Sequence, residues 1–194
     1  MRIFEPLIGL LAILGIALKL LQVPGNTLLM VSSFSILSMF YYVFSFALFN
    51  GIRFRDIFKK ASYKHTNVKR ILGAVFLGFA LSLIIIGGLF KLQFYPGGDI
   101  QLMTGLFTAG VILSVAIIIY FINYSDYYIR VFKRIAIYGV FGLILFFTPS
   151  ATLIDIYYGD QPEFAELYKK VLANPQDDEL REEWNQMRKE RKDY

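Results

Sequence analysis

Cysteine is absent from the 194 residues, and histidine and tryptophan occur once each, as His65 and Trp184. Without cysteine there is no disulfide, no thiolate nucleophile and no cysteine metal site. A single histidine in a basic loop makes neither a metal site nor a general base. No Ser-His-Asp set and no phosphate-cradling glycine loop is present. Charge is sparse: Asp, Glu, Lys and Arg make up 18% of the chain, against 56% hydrophobic residues. No carboxylate stands in the middle of any long apolar run, which leaves a proton relay without its usual residues. These absences weigh against an enzyme, and neither a cofactor nor a metal is expected.

What is present is apolar matter. The mean hydropathy is +0.53, with 19 Phe and 13 Tyr, a composition of the membrane class. The formal net charge of +5 hides a division. Residues 1–154 carry 13 Lys or Arg against 4 Asp or Glu, whereas residues 155–194 carry 7 against 11. The basic residues sit at the ends of apolar runs, where membrane topology and anionic lipid account for them, and no nucleic-acid partner is expected. Arg2 followed by the apolar stretch 7–21 looks superficially like a signal peptide. No small-x-small cleavage site follows, so a retained first helix is expected.

The chain is therefore read as an all-α integral membrane protein. Residues 1–158 form the membrane domain and residues 159–194 a soluble helical tail. Helix one is expected over 4–22 and helix two over 27–49, with Asn26 or Thr27 as cap; helix three covers 71–94 and helix four runs from Asp99, its cap, to 123. At a 1.5 Å rise, runs of this length match a hydrocarbon core of ~30 Å. The serines of helix two, among them Ser38 and Ser45, read as packing residues, and Ala74, Gly78 and Ser82 as a stripe for close helix contact. A fifth helix is expected over 135–158, kinked or ended early at Pro149.

An internal repeat organises the first four helices. Shifted by 72 positions, Gly15, Lys19, Pro24 and Gly25 fall on Gly87, Lys91, Pro96 and Gly97. In each copy an apolar run carries one lysine, breaks at Pro-Gly and resumes uncharged. Helix, tight turn and returning helix follow, because Pro presets the first central turn position and Gly supplies the positive φ of the second. Repeat 1 covers about 1–60 and repeat 2 about 71–134. Lys19 and Lys91 are the ionisable residues nearest the membrane interior, read chiefly as anchors that snorkel outward or bond helix-end carbonyls.

Between the repeats, residues 50–70 hold seven Lys or Arg against the single Asp56, a cytoplasmic marker. Phe54, Ile57, Phe58 and Ala61 would share one face of a short helix on the inner leaflet, so anionic headgroups are the expected partner of this loop. Arg130, Lys133 and Arg134 form a second basic connection. The N-terminus and both connections are expected in the cytoplasm and, after five crossings, the tail outside; the alternative is a fifth segment that re-enters at Pro149 and leaves the tail inside.

The tail reads as a helical pair. Asp160 caps the first helix, with Pro162 in its first turn, and Phe164, Leu167, Tyr168, Val171 and Leu172 form its apolar stripe. Glu166 and Lys170 are expected to pair at i, i+4. Asp177 or Asp178 opens the second helix, whose stripe is Leu180, Trp184 and Met187. Trp184 is the candidate partner contact, with the core of the pair as its alternative place.

Gly15-x3-Lys19-Leu20-x3-Pro24-Gly25-Asn26-x-Leu28-Leu29 resembles the N-terminal transmembrane hairpin of the GldL family, small inner-membrane motor proteins of gliding motility and type IX secretion. The segment Gly87-x3-Lys91-Leu92-Gln93-x2-Pro96-Gly97-Gly98-Asp99 resembles it equally. The resemblance covers about 1–49 and 73–122. It implies an inner-membrane protein working within an envelope assembly. The family is also implied to couple ion flow through a glutamate in its second helix, whereas helices two and four of this chain contain no glutamate. The function expected is a non-enzymatic scaffold or accessory subunit with a protein partner or a second copy of itself. The alternative is a small transporter or ion-conducting protein using the duplicated hairpins, with Lys19 and Lys91 on its pathway.

Overall fold

A computed structural model describes residues 3–64 and 66–192, with side chains to residue 189. Arg2, which entered the comparison with a signal peptide, and His65 lie outside the described residues. The chain divides into two compact units, residues 1–147 and 148–194. Among the described residues there are eight α-helices, two short 3-10 turns and no strand.

The first unit contains α1 (Phe4–Leu20), α2 (Asn26–Phe49), α3 (Val68–Leu92), α4 (Gly98–Ile122) and α5 (Asp126–Phe147). Three of them, α2, α3 and α4, are long and apolar enough to cross a membrane. At 17 residues α1 is short of that length. The pair formed by α5 and α6 (Ser150–Tyr158) passes the same test only as a broken span or a re-entrant loop. These are the features of a membrane-embedded protein. α3 is the most enclosed helix: 56% of its most apolar stretch is buried, against 17% for α4. It packs against α2, α4 and α5.

Small residues let α3 approach its neighbours. A Cβ on Gly78 would stand 2.1 Å from Ser45 Oγ and 2.6 Å from the Tyr41 carbonyl oxygen. One turn on, Ser38 and Ser82 join their hydroxyls at 2.7 Å. The expected stripe of Ala74, Gly78 and Ser82 thus meets the serines of α2. On the other side a Cβ on Gly105 would lie 2.9 Å from the Ala80 carbonyl oxygen.

The two Pro-Gly turns share one backbone course. Gln22 and Gly25 have φ of 55° and 86°; Phe94 and Gly97, 72 positions on, have 58° and 88°. Val23 N–H donates to Leu18 at 3.0 Å and Tyr95 N–H to Phe90 at 2.8 Å. The N–H groups of Leu29 and Gln101 return to the carbonyls of Gly25 and Gly97. Side-chain contact follows the same offset, since a Cβ on Gly15 would meet Met30 and one on Gly87 would meet Leu102, each within 3.2 Å.

Several local expectations are corrected. Gly25 and Gly97, not Asn26, Thr27 or Asp99, occupy the N-cap positions, and no side chain caps either helix. The reason is the turn itself: its left-handed glycine leads straight into the helix, and Asn26 Nδ2 turns back to the Val23 carbonyl at 2.6 Å. The loop at 50–70 forms two 3-10 turns, Phe54–Asp56 and Lys60–Tyr63, in place of one amphipathic helix. Its apolar residues part company: Phe54 packs edge-on against Phe44 at 5.0 Å, while Phe58 is 98% exposed. The fifth helix begins at Asp126, not 135, so Arg130, Lys133 and Arg134 lie on the helix and not in a connection. It ends at Phe147. Pro149 has no N–H to continue it and instead precedes α6 with an extended ψ of 145°.

The second unit holds α6, α7 (Pro162–Ala173) and α8 (Asp178–Lys192). α6, placed by the sequence with the membrane domain, groups here with the tail. Its Asp155 pairs with Lys169 of α7 at 2.6 Å. Lys169, not Lys170, also takes Glu166 at 2.8 Å, because the i+3 lysine reaches both carboxylates at once. Gln161, not Asp160, precedes α7, with Pro162 at its first position as expected. Asp177 opens α8, accepting the Leu180 N–H at 3.1 Å.

Candidate functional site

Two polar clusters occupy opposite ends of the first unit. At the Pro-Gly end the turns after α1 and α3 come together. Lys91, only 6% exposed, pairs with Asp99 at 2.5 Å across its own turn. It does not snorkel, and Asp99 serves it where a helix cap was expected. Lys19 Nζ donates to Gln93 Oε1 at 3.2 Å, and the Gln93 amide reaches Met30 Sδ at 3.5 Å. The two repeat lysines thus take different partners at this end, Lys91 the carboxylate of Asp99 and Lys19 the amide oxygen of Gln93, two residues beyond Lys91. Pro24, Gly25, Pro96, Gly97 and Gly98 shape this end. A Cβ on Gly98 would stand 2.8 Å from the Lys91 backbone nitrogen.

At the other end sits a cluster that sequence reasoning missed. Arg134 grips Glu5 with two donors, Nε to Oε1 at 3.0 Å and a terminal nitrogen to Oε2 at 2.5 Å. This fork geometry is the strong form of an ion pair. Arg134 and Glu5 are 16% and 14% exposed. Tyr41 adds a hydroxyl donated to Glu5, Tyr138 stands edge-on to Tyr41 at 5.1 Å, and the guanidinium lies 5.3 Å over the Phe49 ring. The signal was present: Glu5 is the only acid in the first 55 residues. Assigning Arg134 to a connection hid its partner.

The same end carries a polar chamber and an apolar groove. The chamber, about 320 Å³, is lined by Asn50, Arg53, Asp56, Arg70, Tyr127 and Arg130 among others. The groove, about 670 Å³, runs between α3, α4 and α5.

In the second unit Trp184 lies within the α7–α8 pair. It stacks on Tyr168 at 5.1 Å with ring planes 19° apart, and Arg188 covers it at 5.2 Å. Among the described residues no group of three or more His, Asp or Glu side chains could hold a metal ion. No family model, curated protein or solved structure matches this chain.

Proposed function

We propose that this chain is a multi-pass inner-membrane protein built on two tandem GldL-like hairpins, acting as a non-enzymatic scaffold or accessory subunit of an envelope assembly. The supporting observation is the backbone correspondence of the two Pro-Gly turns, residue for residue at an offset of 72. Two equivalent packing units side by side make a rigid platform. The lysines contribute to that rigidity, since Lys91 is enclosed by its ion pair and Lys19 is tied to Gln93. This arrangement favours anchoring over a conduction path. In this reading α1 and the bent α5–α6 pair are counted as crossings beside α2, α3 and α4, the N-terminus and basic loop face the cytoplasm, and the tail, on the outer face, docks a partner.

The test is cross-linking in native membranes, comparing the full chain with a form lacking 159–194. The full chain should migrate in a complex whose membership changes on deletion. A lone monomer with unchanged neighbours would overturn the scaffold reading. Orientation is read with single cysteines at Gln176 and Ser62, which the cysteine-free background makes clean. A membrane-impermeant thiol reagent should label Gln176 in intact cells and Ser62 only after lysis.

A further inference from the structure

The chamber and the groove at the basic end share two lining residues, Arg70 and Tyr127. The chamber presents three arginines, Arg53, Arg70 and Arg130, against one carboxylate, Asp56. That carboxylate is already engaged by Lys59 at 2.8 Å. Arg130 is held in place by its Nε bond to the Phe49 carbonyl at 2.8 Å. Gly51, whose positive φ of 73° favours glycine, lies beside that guanidinium, at ordinary contact distance for a Cβ placed there. Arg70 spreads over the Tyr127 ring at 5.7 Å, and the Tyr127 hydroxyl donates to the Arg70 carbonyl at 3.2 Å. The wall of the chamber is thus prepositioned and cationic.

The groove is its chemical opposite. Beyond Arg70 it is lined by Phe76 of α3 and by Phe107, Val111, Val115 and Ile119 of α4. Phe107 to Ile119 spans twelve residues, about 18 Å along the helix axis, close to half of a ~30 Å hydrocarbon core. A cationic chamber opening into an apolar trough one leaflet deep fits a ligand with an anionic head and a hydrocarbon tail. Free phosphate would leave the trough unused, and a neutral lipid would leave the arginines unanswered.

We propose that this end of the protein holds one anionic phospholipid, its phosphate against Arg53, Arg70 and Arg130 and an acyl chain along the α3–α4 groove. Basic pockets between membrane helices bind such headgroups. Phe58, 98% exposed beside the chamber loop, would enter the same leaflet. The proposal rests on the membrane-spanning reading and narrows the expected contact of loop 50–70 with anionic headgroups to one site.

The experiment uses the purified full chain in neutral detergent. Native mass spectrometry follows binding of phosphatidylglycerol, phosphatidylcholine of the same chains, and glycerol phosphate. Phosphatidylglycerol should bind tightest. The variant R53Q/R70Q should weaken it about 25-fold, roughly fivefold for each arginine near a headgroup, and should weaken phosphatidylcholine, whose choline cation offsets its phosphate, far less. R55Q/K60Q, which removes the same charge outside the chamber, should change affinity less than twofold. V111W, which fills the groove, should weaken both lipids. Circular dichroism checks that each variant folds, and R53Q alone, at an exposed position, serves if the double variant does not. Equal binding of the two lipids, equal losses in the two double variants, or glycerol phosphate binding as tightly as phosphatidylglycerol would each overturn the proposal. Release from membranes by alkaline carbonate would instead defeat the membrane reading, which separates the two failures.

Discussion

Arg134→Met is the most informative single change in the first unit. Methionine keeps an unbranched apolar stem of similar reach but removes the guanidinium, so Glu5 loses both donors at 3.0 and 2.5 Å and keeps the Tyr41 hydroxyl. Removing one member of a buried ion pair costs about 3–5 kcal/mol, because the other charge stays behind uncompensated. Glu5 is 14% exposed, so some water reaches it and the lower end of that range, about 3 kcal/mol, is expected. Glu5→Gln should cost less, about 2 kcal/mol, because Arg134 keeps the Phe49 ring at 5.3 Å, a contact worth about 0.5–2 kcal/mol. The double variant buries no charge at this place. Its cost should fall short of the sum of the singles by about 2 kcal/mol, within the coupling seen for contacting residues. The assay is reversible unfolding of the full chain in neutral micelles by titrated dodecyl sulfate, followed by far-ultraviolet circular dichroism. Additivity within about 0.5 kcal/mol would refute the claim that this pair ties α1 to α5.

Other expectations follow from the same geometry. Asp99→Asn should destabilise more than Lys91→Met, since it strands an ammonium that is 6% exposed, whereas the methionine leaves a carboxylate that is 60% exposed; equal losses in the same unfolding assay would contradict this. Gly78→Ala should cost about 1–3 kcal/mol through overpacking against Ser45 and the Tyr41 carbonyl. Gly110→Ala, where a Cβ meets nothing within 4 Å, should instead stabilise the helix by about 0.5–1 kcal/mol; the two midpoints should move in opposite directions. Hydrogen bonds to Asp155 and then Glu166 hold the Lys169 ammonium above the usual lysine range. The stability it contributes is therefore complete below the ordinary lysine pKa and lost as pH rises through the raised value. Asp155→Asn should lower the Lys169 midpoint in a carbon-13 lysine titration, and an unmoved midpoint would remove the Asp155 contact as the principal cause.

What could be read in the residues was whatever depends on near neighbours. Pro24-Gly25 and Pro96-Gly97 announce turns because proline fixes one dihedral and glycine frees the next, and the glycines stand at φ of 86° and 88°. The stripe of Ala74, Gly78 and Ser82 announces a close contact by its period alone. The partners of charged groups were not legible in this way. Glu5 and Arg134 are separated by 129 positions, and no local period links them. Lys91 looked like an anchor bound for the interface because its spacing from the turn permits that, but a carboxylate eight residues on captured it. The break at Pro149 is legible in the sequence, whereas the grouping of α6 with the tail rests on contacts no sequence period specifies, among them Tyr158 against Phe164 at 4.8 Å and Asp155 with Lys169 at 2.6 Å.

The placement of charge in the first unit separates two demands on a membrane protein. Lys19, Lys91 and Asp99 at one end, with Glu5 and Arg134 at the other, are satisfied by side-chain partners inside the chain, so these ends hold their shape through internal pairs. Arg53 and Arg70 differ: they border the chamber with a single carboxylate nearby, and that carboxylate is bonded to Lys59. Cationic excess of this kind costs stability through repulsion unless something outside the chain offsets it. The protein is therefore expected to gain stability from anionic bilayers specifically through the basic end. The Glu5–Arg134 coupling should stay the same in neutral and anionic lipid, whereas the destabilising effect of Arg53→Gln should change sign between them. In neutral lipid, removing one of three clustered arginines relieves repulsion; in anionic lipid, it removes a ligand contact.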